Sequence, residues 1–302
     1  MIRNLSYPGL FVLLVIAALN FLSTSALQDI PELKRQGDQW TFQYADLSGV
    51  ISGGKQHGIE LRAGADGKPL TGNMCLNLEH FLAKDYPNGR FVPRQKASLK
   101  TRQAGKHAVQ VEISPYPGWP VKSTITYELR PNRVIQAVYE FTFQKSIPDF
   151  EAFISNYFLE PFEPYLRLGD KWLRPTVTDD EHRYWVRTQR DAQVTMDGRW
   201  DYFLRETENN VTVTVDLRKF TKPIMVTPIG ETGWHVVHIV DPTECPSFSV
   251  NRRWKAHDLS LLGRDVVKGE TVRCRVWMIY TKLSSLDDAL ALYEDFLSTM
   301  KK

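Results

Sequence analysis

Residues 121–143 read VKSTITYELRPNRVIQAVYEFTF, and this stretch decides the fold class. Apolar and polar side chains alternate in both arms, which is typical of strands whose two faces meet different surroundings. Pro131 and Asn132 favour a chain reversal between the arms, because proline presets φ and asparagine tolerates the left-handed region. The stretch therefore predicts an antiparallel hairpin with one apolar and one mostly polar face. A lone hairpin is marginal in water, so its apolar face must pack on another sheet.

Other segments with the same alternation occur before and after this hairpin, separated by turn-forming residues. The predicted strands cover residues 40–45, 58–62, 97–102, 108–114, 183–188, 200–205, 211–217, 224–227, 233–240, 247–251, 258–262 and 271–280. The glycine-rich residues 48–58 predict a turn, and residues 74–85 fit either a short helix or a strand. Residues 147–182 show no period, which predicts a long irregular segment lining a groove. The pattern as a whole predicts an all-β protein, a large antiparallel β-sandwich.

The end of the chain predicts an α-helix over residues 284–300. Ser284 and Ser285 are each followed three residues later by an aspartate, as in a helix cap. Apolar residues then recur at helical spacing and form one stripe. Acidic residues elsewhere on the helix favour docking of this stripe on the sandwich over binding to a membrane.

The first 26 residues predict a signal peptide that is removed after Ala26. Arg3 precedes an apolar run, residues 10–22, that is short for a membrane span, and small residues follow it. We therefore expect a secreted or periplasmic protein with a single β-sandwich domain over residues 27–302 and no membrane contact after cleavage. A retained N-terminal anchor is the alternative.

Charge and cysteine content exclude several partners and scaffolds. The formal net charge of +3 falls to +2 once Arg3 is removed with the leader, and no long run of either sign is present. A nucleic-acid partner would require a basic stripe, so we expect none. Three cysteines are too few for a disulfide scaffold, although one bridge is possible. Cys274 shares a strand face with apolar residues and is interpreted as a small buried side chain.

The motifs of common cofactor and nucleophile sites are missing from the sequence. It contains no GxSxG elbow, P-loop, GxGxxG motif or CxxC pair, and we predict no cofactor. His235 and His238 lie three residues apart on a predicted strand, where they point to opposite faces and cannot share a metal ion. The polar residues 179–182, three acidic residues and a histidine, fit a solvent-exposed turn better than a cation site. We therefore predict no metal site.

Several residues are candidates for binding or acid–base chemistry. His238 is the strand histidine that we expect in the groove, and Glu160 and Glu163 are candidate carboxylates held between prolines. The run NRRWKAHD, residues 251–258, suits binding of a sugar or carboxylate but equally suits a solvated strand edge. Flat aromatic rings beside polar groups suit the faces and hydroxyl edges of sugars. The predicted substrate-binding residues are Trp119, Arg167, Trp172, Arg187, Trp234 and Arg253.

Residues 121–143 and the ending WKAHDLSLLGRDVVKGETVRCRVWMIY, residues 254–280, resemble the supersandwich domain of the galactose mutarotase-like superfamily. The first is similar to the long antiparallel strands of that fold, and the second to its closing strands. The resemblance implies a concave sheet face that binds saccharides, and epimerases of the superfamily use histidines with a carboxylate base. That histidine and carboxylate pattern is not matched position by position here.

Three functions remain open from the sequence. The first is an exported protein that binds or processes carbohydrate, either a mono- or a polysaccharide. The second is an aldose epimerase or a polysaccharide-lyase-like enzyme in which His238 works with Glu163 or Asp258 as acid and base. The third is a non-catalytic envelope protein whose groove contacts a protein partner.

Overall fold

The computed structural model describes residues 29–64, 67–72, 74–83, 90–160, 162–177, 182–188 and 212–301. In chain order the strands are β1 (Lys34–Gln36), β2 (Gln39–Gln43), β3 (Leu47–Ser52), β4 (Gly58–Ala63), β5 (Lys68–Pro69), β6 (Asn77–Leu82), β7 (Arg90–Phe91), β8 (Leu99–Gln103), β9 (Ala108–Ile113), β10 (Val121–Arg130), β11 (Val134–Phe143), β12 (Ile147–Ser155), β13 (Tyr165–Leu168), β14 (Lys171–Leu173), β15 (His182–Thr188), β16 (Thr212–Phe220), β17 (Ile224–Pro228), β18 (Trp234–Val240), β19 (Ser247–Asn251), β20 (Ala256–Val266) and β21 (Thr271–Lys282). The α-helices are Pro93–Lys96 and Asp288–Met300.

These strands form three sheets. A five-stranded sheet runs β1-β2-β3-β4-β5, a nine-stranded sheet runs β14-β13-β17-β18-β21-β11-β10-β9-β8, and a seven-stranded sheet runs β16-β15-β19-β20-β12-β6-β7. Among the described strands, β15 and β16 pair in parallel, and the other pairs are antiparallel. The predicted antiparallel β-sandwich with a C-terminal helix is confirmed.

The hairpin of residues 121–143 forms as the sequence predicts. β10 and β11 pair in unbroken register from Val121 opposite Phe143 to Arg130 opposite Val134. The turn contains Asn132 at φ 60°, the left-handed conformation that asparagine tolerates. The predicted apolar face is almost completely buried. Its side chains are Ile125, Tyr127, Leu129, Ile135, Ala137, Tyr139, Phe141 and Phe143.

The second face of β11 is buried, although the sequence predicts a mostly polar, solvent-exposed face for this arm. Val134 and Gln136 are buried there, and the indole nitrogen of Trp277 donates to the Gln136 side-chain oxygen at 3.0 Å. The C-terminal helix covers this face, and Phe296 packs edge-on against Trp277 with ring centroids 5.2 Å apart. The nine-stranded sheet is therefore covered by apolar contacts on both faces at its centre.

The C-terminal helix begins later than the sequence predicts. It spans Asp288–Met300, and the backbone N–H groups of Ser284 and Ser285 donate to Asp288 Oδ2 at 2.7 and 3.0 Å. The serines thus form a turn closed by the aspartate carboxylate, and the helix starts after it. No helix within the described residues is long and apolar enough to cross a membrane.

The main core lies between the nine- and seven-stranded sheets. Phe150 of β12 packs against Phe143 and Phe141 of β11, with ring centroids 4.9 and 6.1 Å apart. Phe81 of β6 joins the cluster 5.2 Å from Phe150. All three cysteines are buried and unbridged, so the bridge that the sequence left open is not present.

Two segments form strands where the sequence predicts an irregular segment or a turn. Residues 147–155 form strand β12, although the sequence predicts an irregular segment, because both faces of this strand are buried. Residues 47–52 form strand β3 within the predicted glycine-rich turn. A Cβ atom on Gly49 would lie 2.4 Å from the Phe42 ring, so the glycine allows close packing there. Residues 74–85 contain strand β6, and the predicted strand 200–205 lies outside the described residues.

Candidate functional site

The seven-stranded sheet carries hydrophobic side chains on one face and mostly polar side chains, with Phe153 among them, on the other. Strands β19, β20, β12 and β6 lie next to one another, so four separate parts of the chain share each face. Asp258 lies opposite Ser249 in register, and Phe153 lies between Ser260 and His80. We call the second face the polar face. Its polar side chains are Glu79, His80, Glu151, Ser155, Tyr157, Ser249, Asp258 and Ser260.

Alternation along β20 explains why this face is polar. Leu259 and Leu261 point into the core, so Asp258 and Ser260 point the other way. On the adjacent strand β12, Glu151 lies on the same side as these polar residues. Asp258 is 2% exposed and Glu151 is 0% exposed. Carboxyl groups are seldom buried to this extent without a functional or structural partner.

A β-bulge brings Glu79 to the polar face. Phe153 lies opposite His80, whereas the next residue, Ile154, lies opposite Leu78, so Glu79 is the extra residue on β6. Such bulges redirect a side chain and are frequent beside active sites. Here the bulge places Glu79 and His80, which are consecutive in sequence, beside the same group of polar residues.

Glu79 is the centre of a hydrogen-bonded cluster. The Tyr157 hydroxyl donates to Glu79 Oε2 at 2.8 Å, and the Ser155 hydroxyl donates to the same oxygen. Arg94 Nη2 lies 3.4 Å from Glu79 Oε1, and His80 Nε2 lies 3.7 Å from that oxygen. One buried carboxylate therefore contacts two hydroxyls, an imidazole and a guanidinium.

These contacts shift pKa values in opposite directions. Burial by itself raises the pKa of the Glu79 carboxyl, but His80, the two hydroxyl donors and Arg94 more than offset burial and hold it below its ordinary value. Burial raises the pKa of the Tyr157 phenol well above its ordinary value, and the charges of Glu79 and Asp258 raise it further. Glu79 is therefore an ionised acceptor and Tyr157 a protonated donor at neutral pH.

The structure places His238 in the core and not in a groove. It lies on the inward face of β18, is 1% exposed, and neither ring nitrogen has a hydrogen-bond partner. Burial, with a smaller contribution from His257, lowers the pKa of His238 to about 3. The ring of Phe158 lies 6.5 Å away. His238 therefore stays neutral inside the sandwich.

The structure does not bring the predicted acid–base residues together. His257 and Asp258 are consecutive on β20, so His257 points into the core towards His238 while Asp258 points to the polar face. The Glu163 carboxylate forms an ion pair with Arg174 and lines a small cavity beside His257. Asp258 thus belongs to the polar face, and His238 and Glu163 lie elsewhere.

His257 links the two sheets. Its Nε2 donates to the carbonyl oxygen of Phe162 at 2.8 Å, and its Nδ1 lies 3.0 Å from the Thr227 hydroxyl on β17. Burial lowers the pKa of His257 to about 4. Both ring nitrogens are satisfied, which is the environment of a structural, neutral histidine.

Three of the predicted substrate-binding side chains contact other parts of the protein. Trp119 is 4% exposed and stacks on Phe91 with centroids 5.6 Å apart, so it is a core residue and not a rim residue. The Trp172 indole donates to Asp287 at 2.7 Å, and Arg167 lies over the Trp172 ring at 5.4 Å. These last contacts join the edge of the nine-stranded sheet to the start of the C-terminal helix.

The other three predicted binding residues lie at separate places. Trp234 stacks on Tyr280 with centroids 4.4 Å apart. Arg253 lies in the turn between β19 and β20, beside Trp254. The backbone of Arg187 pairs with Ser247 on β19, next to the strand that carries Asp258, and its side chain lies outside the described part of the chain.

Five residues of the cluster were not predicted from the sequence, namely Glu79, His80, Arg94, Ser155 and Tyr157. A signal for two of them exists, because Glu151, Ser155 and Tyr157 recur at spacings of two or four along one segment. Phe153, an apolar residue between Glu151 and Ser155 on the same face, hid this period. The β6 bulge has no such signal, since it depends on the strand that pairs with β6.

Within the described residues, no group of three or more histidine, cysteine or acidic side chains is placed to hold a metal ion. Residues 179–181, where the sequence left a cation site open, lie outside the described residues.

No protein-family model matches the chain, and no curated protein matches it significantly. Solved structures with similar strand arrangements include galactose 1-epimerase from Lactobacillus acidophilus, with 9% identity, TM-score 0.45 and coverage of 85% of this chain and 99% of that one. The aldose epimerase homologue from C. elegans has 7% identity, TM-score 0.38 and coverage of 85% and 100%. An α-N-acetylgalactosaminidase from Bifidobacterium bifidum has 10% identity, TM-score 0.49 and coverage of 86% and 39%.

The first is named a galactose 1-epimerase and the second an aldose epimerase homologue. With TM-scores below 0.5 and identities of 10% or less, the similarities carry no argument about substrate or catalytic residues.

The buried histidines His57, His238 and His257 predict acid-sensitive stability. Their folded-state pKa values, about 3 for His238 and about 4 for His57 and His257, lie below the ordinary 6.5, so the unfolded chain binds protons first as pH falls. Their contribution to stability is complete above pH 6.5 and decreases towards pH 4, with a slope of about 1.4 kcal/mol per pH unit for each histidine.

His238→Gln should reduce this pH slope of the unfolding free energy, measured by urea denaturation between pH 7 and pH 4.5. The matched control is His107→Gln, at a half-buried position where the ring contacts the Pro31 carbonyl oxygen. Equal slopes for wild type and His238→Gln would contradict the interpretation.

Proposed function

We propose that the polar face of the seven-stranded sheet binds carbohydrate, and that the protein is a carbohydrate-binding or carbohydrate-processing β-sandwich. The observation that carries this proposal is the Glu79 cluster, in which one buried carboxylate contacts Ser155, Tyr157, Arg94 and His80. A core that only needed stability would place apolar residues on such a face, since buried charges rarely stabilise a fold.

The chemistry of the polar face suits a sugar. Each sugar hydroxyl is both a donor and an acceptor, and the face offers carboxylate acceptors in Glu79 and Asp258, the Arg94 donor and hydroxyls that do both. Burial strengthens such hydrogen bonds, because the effective dielectric constant is low. The resemblance of the sequence to the galactose mutarotase-like superfamily points to the same ligand class.

A second candidate function is an enzyme of the aldose epimerase or polysaccharide-lyase type. The observation that favours it is a histidine and carboxylate pair on the polar face, His80 and Glu79, 3.7 Å apart. The Tyr157 hydroxyl, which donates to Glu79 Oε2 at 2.8 Å, adds a third group able to exchange a proton on the same face. His80 and Glu79 thus replace His238 and Glu163 in the acid–base hypothesis.

We also propose that the chain is exported and cleaved after Ala26, on the sequence of its first 26 residues. Those residues lie outside the described part of the chain. Mass spectrometry of protein recovered from the periplasm or medium should give the mass of residues 27–302, and the mass of the full chain would contradict cleavage.

Saccharide binding is tested by a thermal-shift screen of mono- and polysaccharides, followed by calorimetry on any sugar that stabilises the protein. Tyr157→Phe should weaken binding about tenfold, or ~1.4 kcal/mol, because the Glu79 carboxylate loses a donor that orients it. The substitution keeps the ring and so keeps the packing.

The matched control is Tyr139→Phe, which removes a buried hydroxyl that donates to the Leu76 carbonyl oxygen, within the main core and away from the polar face. It should leave the dissociation constant unchanged. A protein stabilised by none of the saccharides would contradict the proposal and favour the alternative of a non-catalytic protein-binding domain.

Turnover is tested by NMR measurement of mutarotation and by absorbance detection of unsaturated products from uronic-acid polysaccharides. If the protein is an enzyme, Glu79→Gln should lower kcat at least about a hundredfold, because the amide cannot accept a proton. His238→Gln should retain most of the activity, since His238 lies in the core. If wild-type protein gave the same mutarotation and product-formation rates as buffer, this candidate would be eliminated. Carbohydrate binding without turnover would then be the remaining proposal.

A further inference from the structure

We infer that Leu159, Arg253 and Trp254 form a second saccharide subsite, so that the ligand of the polar face is an oligosaccharide and not a single sugar. This inference rests on the proposed function and specifies its substrate class. We call these three residues the rim patch.

The rim patch is one of few places where large apolar side chains face solvent. Among the described residues, the exposed large hydrophobic side chains are Tyr116, Leu159, Trp254 and Val267. Trp254 is 48% exposed and Leu159 is 43% exposed. The two belong to segments that touch, because Lys255 Nζ donates to the Leu159 carbonyl oxygen at 2.6 Å.

The turn that presents Trp254 is held in one conformation. The Trp254 N–H donates to Asn251 Oδ1 at 3.2 Å, and the Lys255 N–H donates to the Arg252 carbonyl oxygen at 3.0 Å. Lys255 adopts φ 49°, a left-handed conformation that is unfavourable for lysine. The Trp254 side chain is thus half exposed on a hydrogen-bonded turn. Such a turn lowers the conformational entropy that is lost when a ligand binds.

The rim patch is continuous with the polar face. Tyr157, whose hydroxyl reaches Glu79, pairs in register with Ala256, and Trp254 precedes Ala256 by two residues. Leu159 follows Tyr157 by two residues, so in this antiparallel pair it lies at the same end as Trp254. A saccharide held at the Tyr157 end of the polar face would therefore extend towards the rim patch.

The chemistry of the rim patch suits a sugar ring outside the buried site. A tryptophan ring can stack on the apolar C–H face of a pyranose, and Trp254 is 48% exposed. The Arg253 guanidinium lies 5.6 Å from the Trp254 ring centre, where its N–H groups can donate to sugar hydroxyls.

The test compares dissociation constants by calorimetry for glucose, galactose, and cello-, malto- and galacto-oligosaccharides of two to six units. Wild-type protein should bind at least one oligosaccharide series about tenfold or more tightly than its monosaccharide. Trp254→Ala should remove this gain while changing the monosaccharide constant by less than about twofold. The control, Tyr116→Ala, removes an exposed aromatic ring on another loop and should leave both constants unchanged.

The outcomes distinguish the inference from the function on which it rests. Monosaccharide binding without any gain for longer chains, or an equal loss for both in Trp254→Ala, would overturn the subsite while leaving the polar face as a sugar site. The absence of binding by every sugar would overturn the proposed function and the subsite together.

Discussion

The packing of the nine-stranded sheet on the seven-stranded sheet is the constraint on which the rest of the structure depends. Phe150 meets Phe141 and Phe143 across this interface, and each of these rings is almost completely buried. Aromatic side chains bury the largest apolar area per residue, so these rings contribute strongly to the free energy of bringing the sheets together. Because the seven-stranded sheet uses one face for this contact, its other face is left for polar residues.

The separation of apolar and polar side chains onto the two faces of the seven-stranded sheet has a direct chemical consequence. A strand that buries Leu259 and Leu261 must turn Asp258 and Ser260 to the opposite face. Carboxylates in such a position lose hydration and require compensating partners. At Glu79 the partners are two hydroxyls, an imidazole and a guanidinium, and they hold its pKa below the ordinary value despite burial. The same rule, applied to the core side, keeps His238 and His257 neutral.

The outer face of the nine-stranded sheet follows a different rule. The C-terminal helix covers it, so strands near its centre bury both faces, as Gln136 and Trp277 show. One sheet of the sandwich is thus closed on both sides by apolar packing, and the other combines an apolar face with a polar one. This asymmetry, and not the number of strands, is why we propose the polar face as the ligand-binding surface.

The sequence by itself determined the class of fold. Alternation in residues 121–143 and 271–280 predicts long strands with one buried face, and this local property needs no knowledge of neighbouring strands. The sequence also named Asp258 as a candidate, and the structure places it on the polar face. The tertiary structure decided the rest of the site, because Glu79 reaches the polar face through a bulge that exists only when β6 pairs with β12. His238 was misplaced for a related reason: alternation tells which residues share a face, but only the packing of whole sheets tells whether that face meets a groove or the core.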